Sequence, residues 1–96
     1  MKTQNETYKL LRFEKASPPK KYTAVLLNKK TGREKRVNFG ASAYEQYQDT
    51  TGVGAWSHKN HFDKARRANY RARHAGEGDP SNFPNAGFFA MNYLWR

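Results

Sequence analysis

Residues 21–39 read Lys-Tyr-Thr-Ala-Val-Leu-Leu-Asn-Lys-Lys-Thr-Gly-Arg-Glu-Lys-Arg-Val-Asn-Phe. Lys21 to Asn28 holds Tyr22, Thr23, Val25 and a leucine pair, residue types that suit a pleated, half-buried surface, and so predicts a strand. Asn28-Lys29-Lys30-Thr31-Gly32 is a turn, because Gly32 can take the positive φ that side chains resist. Arg33 to Phe39 returns, with Val37 and Phe39 alternating against Arg36 and Asn38 as in a strand with one wet face. Together these segments predict a β-hairpin. Two strands alone are marginal in water, so further elements must cover them.

Upstream, Tyr8 to Glu14 is a candidate third strand. Ser17-Pro18-Pro19 follows as a rigid connector, since two prolines fix φ and remove two donors. Residues 1–7 read as a flexible end, and residues 1–20 as a flexible or extended N-terminal arm before a single domain over 21–96. Downstream, residues 40–57 are rich in Gly, Ser, Thr and Tyr, a loop in which Ala43 to Gln48 predicts one helical turn. A helix then starts at Asp63, whose carboxylate can accept the open amides of a first turn, and stops before Gly76. At about 100° per residue, Ala65, Ala68, Ala72 and Ala75 share a thin seam suited to lying against a sheet or another helix. Lys64, Arg66, Arg67, Tyr70, Arg71, Arg73 and His74 cover the rest. After a second loop, Asn85 caps a helix running to Trp95 that is apolar nearly all round, the pattern of a buried or interfacial helix. The fold expected is small α+β: a hairpin or three-stranded antiparallel sheet, then a basic helix and a C-terminal aromatic helix.

The 96 residues carry 18 Lys and Arg against 8 Asp and Glu, a net charge of +10. Charge of that size favours polyanions or acidic protein surfaces as partners. There is no cysteine, hence no disulfide or thiolate chemistry. No apolar run approaches the roughly 20 residues of a membrane span, and Met1 to Glu6 lacks the apolar region of a signal peptide.

Two basic clusters are candidate polyanion or acidic-partner sites. One is on the turn and returning strand (Lys30, Arg33, Lys35, Arg36). The other is on the basic helix (Lys64, Arg66, Arg67, Tyr70, Arg71, Arg73), where the cations neutralise phosphate and Tyr70 can stack on a base. They form one surface if hairpin and helix abut, and two solvated patches if not. Phe88, Phe89, Met91, Tyr93, Leu94 and Trp95 are apolar interface or core anchors. By helical spacing Phe88, Met91 and Trp95 pack inward, leaving Phe89, Tyr93 or Leu94 for the strands or another subunit. His58-x-x-His61 with Asp63 and His74 invites a metal reading, but zinc sites need three or four ligands in a defined spacing and the neighbouring arginines repel a cation. A His-Asn-His type nuclease needs a hairpin beside its metal-binding helix, whereas here a Gly-rich loop intervenes. No metal, cofactor or catalytic residue is assigned.

Lys30-Thr31-Gly32-Arg33, Val37-Asn38-Phe39-Gly40-Ala41 with Tyr44, the run Arg66 to His74, and the closing Tyr93-Leu94-Trp95 resemble a family of small basic proteins of nucleocytoplasmic large double-stranded DNA viruses, a domain of unknown function. The resemblance covers residues 21–96 and brings no catalytic residue. It implies a virion protein made inside the infected host cell. The function expected is non-enzymatic: a minor capsid or internal cement component bridging other capsid proteins. The alternative is a nucleic-acid-binding protein that contacts the phosphates of DNA or RNA through the basic helix, in genome packaging or viral gene expression.

Overall fold

The structure, a computed structural model, describes residues 7–96. It is an α+β domain. Strands β1 (Tyr8–Lys15), β2 (Lys20–Asn28) and β3 (Glu34–Ala41) form an antiparallel sheet in the order β1-β2-β3, followed by helices α1 (Lys64–Arg73) and α2 (Ala86–Tyr93). Single 3-10 turns at Ser57–Lys59 and Pro80–Asn82 punctuate the loops.

The hairpin forms where its residue types require it. Asn28 closes the turn twice over. Its amide donates to Arg33 O at 2.8 Å, and its side-chain Oδ1 accepts from the amides of Lys30 and Thr31. Gly32 takes φ +74°. Of the two sheets expected, the three-stranded one is present: β1, from within the N-terminal arm, is an edge strand paired with β2. Ser17-Pro18-Pro19 makes the tight connection between them, with a cis Pro18–Pro19 peptide and Ala16 N donating to Lys21 O. The reading of residues 1–7 as a flexible end lies outside the described residues except at Thr7, whose carbonyl accepts from Lys29 N at 2.8 Å.

Strict alternation along β1 would place Tyr8, Leu10, Arg12 and Glu14 on one face. A bulge prevents this. Leu10 pairs with Leu26 and Arg12 with Val25, leaving Leu11 as an extra residue without a partner. The extra residue inverts the alternation, so Tyr8, Leu10 and Phe13 all face the core and Arg12 and Glu14 face away. The core joins Tyr22, Ala24, Leu26 and Phe39 of the sheet to Phe83, Phe88, Phe89 and Leu94. Phe13 meets Phe39, Phe89 and Tyr93 edge-on, with centroids 4.6–5.9 Å apart, a spacing at which aromatic quadrupoles attract. On the other face Glu14 bridges Arg12 (2.8 Å) and Arg36 (2.6 Å). The stems of these arginines flank Val25, their register neighbour, which is fully buried.

Three expectations are corrected. Residues 43–48 form no helical turn. Gln46 is instead pinned in an extended bridge to Asn60, donating its amide to Lys59 O and accepting from His61 N. Asn85 occupies the N-cap position of α2, but its side chain makes no capping bond. The third concerns α1. Asp63 does cap it, accepting from the amides of Ala65 (3.0 Å) and Arg66 (3.1 Å). The alanine seam, however, does not pack: Ala65, Ala68, Ala72 and Ala75 are all exposed. The inward face is Arg67, Tyr70 and His74, because these longer side chains reach partners that methyl groups cannot.

Candidate functional site

Long side chains hold α1 to the body. Tyr70 stacks on Trp95 with centroids 4.2 Å apart and planes 5° from parallel, and on His74 on its other side at 4.2 Å. Arg67 lies over the Tyr47 ring at 4.4 Å. Arg71 donates to Trp95 O and Arg67 to Arg96 O at 3.3 and 3.4 Å. Because α1 attaches by long side chains, it stands off the sheet. A cleft of about 450 Å³ opens between α1, the end of the β2–β3 hairpin and the C-terminal turn of α2.

Lys21 is at the floor of the cleft. It is only 2% exposed. Its ammonium donates to Gln46 Oε1 and makes no ion pair among the described residues. Burial, aided by the nearby charge of Lys59, pushes its pKa down to about 8. Gln46 is fully buried and completely used, with Nε2 donating to Trp56 O (2.8 Å) and Asn60 Oδ1 (2.6 Å). Lys21 O accepts from the Trp56 indole at 3.0 Å, which fixes the backbone behind the ammonium. Gly40 closes the floor from β3. It sits at φ +76°, where an added Cβ would fall 2.9 Å from Leu94 Cδ1 and 3.3 Å from Lys21 Cβ. The positive φ strains any side chain here, and an added Cβ would also have to displace the buried Leu94 methyl.

The walls carry Arg66, Asn69, Arg73 and His74 from α1, with Tyr44 and Glu45 opposite. Arg66 pairs with Glu45 at 2.9 Å, and this hydrogen bond holds the Glu45 carboxyl below its usual range. His74 bonds Glu77 through Nδ1. Arg73 makes no ion pair among the described residues. Tyr44, 72% exposed, stands at the mouth. Burial raises the Tyr70 phenol, and the Glu77 charge adds to the effect. Close by, His61 Nδ1 accepts from Asp63 N at 2.9 Å, which leaves the proton on Nε2, a buried atom with no partner. Burial, then the Arg66 charge, pushes the His61 pKa down.

The sequence-predicted clusters are placed apart. Lys30 and Arg33 lie at the far end of the hairpin, one strand length, or roughly 25 Å, from the cleft. Of their companions, Lys35 covers the Tyr8 ring at 5.2 Å and Arg36 is held by Glu14. They are two patches, not one surface. On α1, Lys64, Arg66, Arg71 and Arg73 are exposed, while Arg67 and Tyr70 are half-buried. The closing aromatics are core: Phe88, Phe89, Met91 and Leu94 are buried, and Tyr93 and Trp95 are half-buried. Phe89 and Leu94, expected to be left for strands or a partner, meet the sheet. Each histidine makes a ring contact: His58 with Trp56, His61 with Trp95, His74 with Tyr70. No three His, Asp or Glu side chains of the described residues converge.

Lys21, Glu45, Gln46 and Asn69 were not singled out by sequence as site residues, and Gly40 and Tyr44 entered only through the resemblance. A lysine opening a strand reads as a solvent residue, and nothing local marks Gln46 as buried. No helix of the described residues is long and apolar enough to cross a membrane. Compared with protein-family models, with curated proteins and with solved structures, the chain matches none.

Proposed function

We propose that the protein is a non-enzymatic nucleic-acid-binding module that contacts phosphate through the exposed cations of α1. The observation that carries this reading is the distribution of charge. All seven described carboxylates are engaged. Glu14, Glu34 and Glu45 pair with arginines and Glu77 with His74. Asp49 accepts from Tyr22, Asp63 caps α1 and Asp79 accepts from Ser81 N. Lys64 and Arg71 lie on one side of α1 and Arg73 on the opposite, cleft side, all three exposed and with no ion pair among the described residues. Arginines and lysines placed this way neutralise phosphates and release counterions, the main source of non-specific affinity.

A second reading, the virion cement component implied by the viral resemblance, is favoured by a different observation. Ala65, Ala68 and Ala72 form an exposed apolar stripe on α1. Phe62, at φ +55° and 56% exposed, precedes the helix. A neighbouring protein would cover such a surface. Its contacts would come from this stripe and not from Leu94, which the core already uses.

The test is DNA affinity as a function of salt, for the wild type and for Lys64 and Arg71 changed to Gln, which leaves the cleft residue Arg73 untouched. Near 150 mM salt, non-specific binding typically weakens to about 10⁻⁴–10⁻⁶ M. We expect sub-micromolar binding there, with a salt slope about two units shallower in the variant, roughly one per lost phosphate contact. Binding that vanishes by that salt, or that ignores the substitutions, overturns this reading in favour of protein contacts.

A further inference from the structure

The cleft beside α1 has an odd feature for a structural hollow. A buried ammonium normally pairs with a carboxylate, because desolvating a charge without a partner is costly. Lys21 has only a neutral amide oxygen, from Gln46. The one carboxylate that lines the cleft, Glu45, is turned to Arg66. Arg73 lines the same cleft, as do Asn69, a neutral amide with donors and an acceptor, and Tyr44, an aromatic ring exposed at the mouth. The floor and one wall are therefore cationic, the mouth is aromatic, and the volume of about 450 Å³ is in the range of small-molecule sites.

We propose that this cleft binds the phosphate of a nucleotide, with the base laid on Tyr44. Lys21 supplies a point charge beneath the phosphate. Arg73 supplies a planar donor fork, the geometry that suits phosphate oxygens. Arg66 joins when the phosphate displaces Glu45 from its guanidinium. Stacking on Tyr44 is tolerant of base identity, since every base has a π-face. The lowered pKa of Lys21 is consistent with an ammonium awaiting an anion, because a bound phosphate favours the charged form. The ligand is either a free mononucleotide or the phosphorylated end of a strand. The second source rests on the nucleic-acid reading above, and the first does not.

The experiment is titration calorimetry at pH 7 with AMP, with adenosine, and with two single-stranded decamers that differ only in a 5′-phosphate. AMP should bind about tenfold or more tighter than adenosine, the discrimination expected of charge-assisted hydrogen bonds. Lys21→Met and Arg73→Gln should each lose about tenfold, Tyr44→Ala about fivefold or more, and Glu45→Gln, which releases Arg66, should bind more tightly than wild type. Should Lys21→Met not fold, the exposed Arg73→Gln and Tyr44→Ala carry the test. AMP preferred over the phosphorylated decamer identifies a free nucleotide as ligand, and the reverse identifies a strand end. Equal binding of AMP and adenosine, no binding of AMP or the phosphorylated decamer, or indifference to Arg73→Gln and Tyr44→Ala overturns the proposal. DNA binding that persists in that case, with no gain from the 5′-phosphate, leaves the α1 reading standing by itself.

Discussion

Lys21 is the residue at which packing and electrostatics meet. Its neighbours Tyr22 and Trp56 bind it into the sheet from behind. The Tyr22 hydroxyl donates to Asp49 and accepts from Trp56 N at 2.9 Å, and burial with the Asp49 contact raises that phenol to about 12. The folded chain holds the Lys21 proton only to about pH 8, against 10.5 for an exposed lysine. Between those values the unfolded state binds more protons, so this residue's contribution to stability rises with pH across the window. Below pH 8 the buried charge costs roughly 2–3 kcal/mol. Urea midpoints at pH 7.5 and pH 9.5 should therefore show the wild type gaining relative to Lys21→Met. An identical pH response in the two proteins would mean that the ammonium is not desolvated as described.

At the scale of elements, β2 and α1 are opposites. Residues 21–26 of β2 are buried without interruption, paired on both edges and covered on both faces. Helix α1 has no buried residue and is held by one ring stack, one cation over a ring, hydrogen bonds from Arg67 and Arg71, and the Arg66–Glu45 ion pair. Alanine-rich helices of ten residues are marginal by themselves, so α1 depends on those few contacts. Elements with few buried apolar contacts open first. Hydrogen exchange should show α1 amides exchanging at least tenfold faster than those of β2, and Tyr70→Ala should increase the rate in α1 while leaving the sheet protected. Equal protection of the two elements would contradict this account. Asp63 as cap was plain from the sequence because capping is local, and so was the hairpin, with its turn chemistry and alternation. The side of α1 that packs was not legible. Helical spacing ranks alanines as the inward face, but the space beneath α1 is wide and only Tyr70 and Arg67 can bridge it.

Across the whole molecule, 41 Å in its longest dimension, the candidate cleft and the cations of the hairpin turn lie apart. The far turn bears Lys30 and Arg33, the middle is the aromatic core, and the cleft lies where the chain's distant parts converge. Lys21, Gly40, Glu45, Arg73 and Leu94 come together there from positions spread over most of the sequence. Such a site has no motif, which is why the sequence pointed to the arginines of α1 but not to the lysine opposite them. The bulge in β1 was hidden for a related reason. It is visible only in the pairing with β2, since Tyr8-Lys9-Leu10-Leu11-Arg12-Phe13 has two plausible alternations and no punctuation between them. Its meaning is clearest from the gene. Loss of three nucleotides within a strand normally throws every side chain beyond it to the wrong face. At codon 11 it would do the opposite, because Leu10 and Arg12 already oppose consecutive residues of β2. Deleting Leu11 should leave the unfolding free energy within about 1 kcal/mol of wild type, whereas deleting Ala24 from the central strand should abolish folding. A deletion scan read by soluble expression would show codon 11 as the one position of the sheet where the reading can skip a residue and keep its sense.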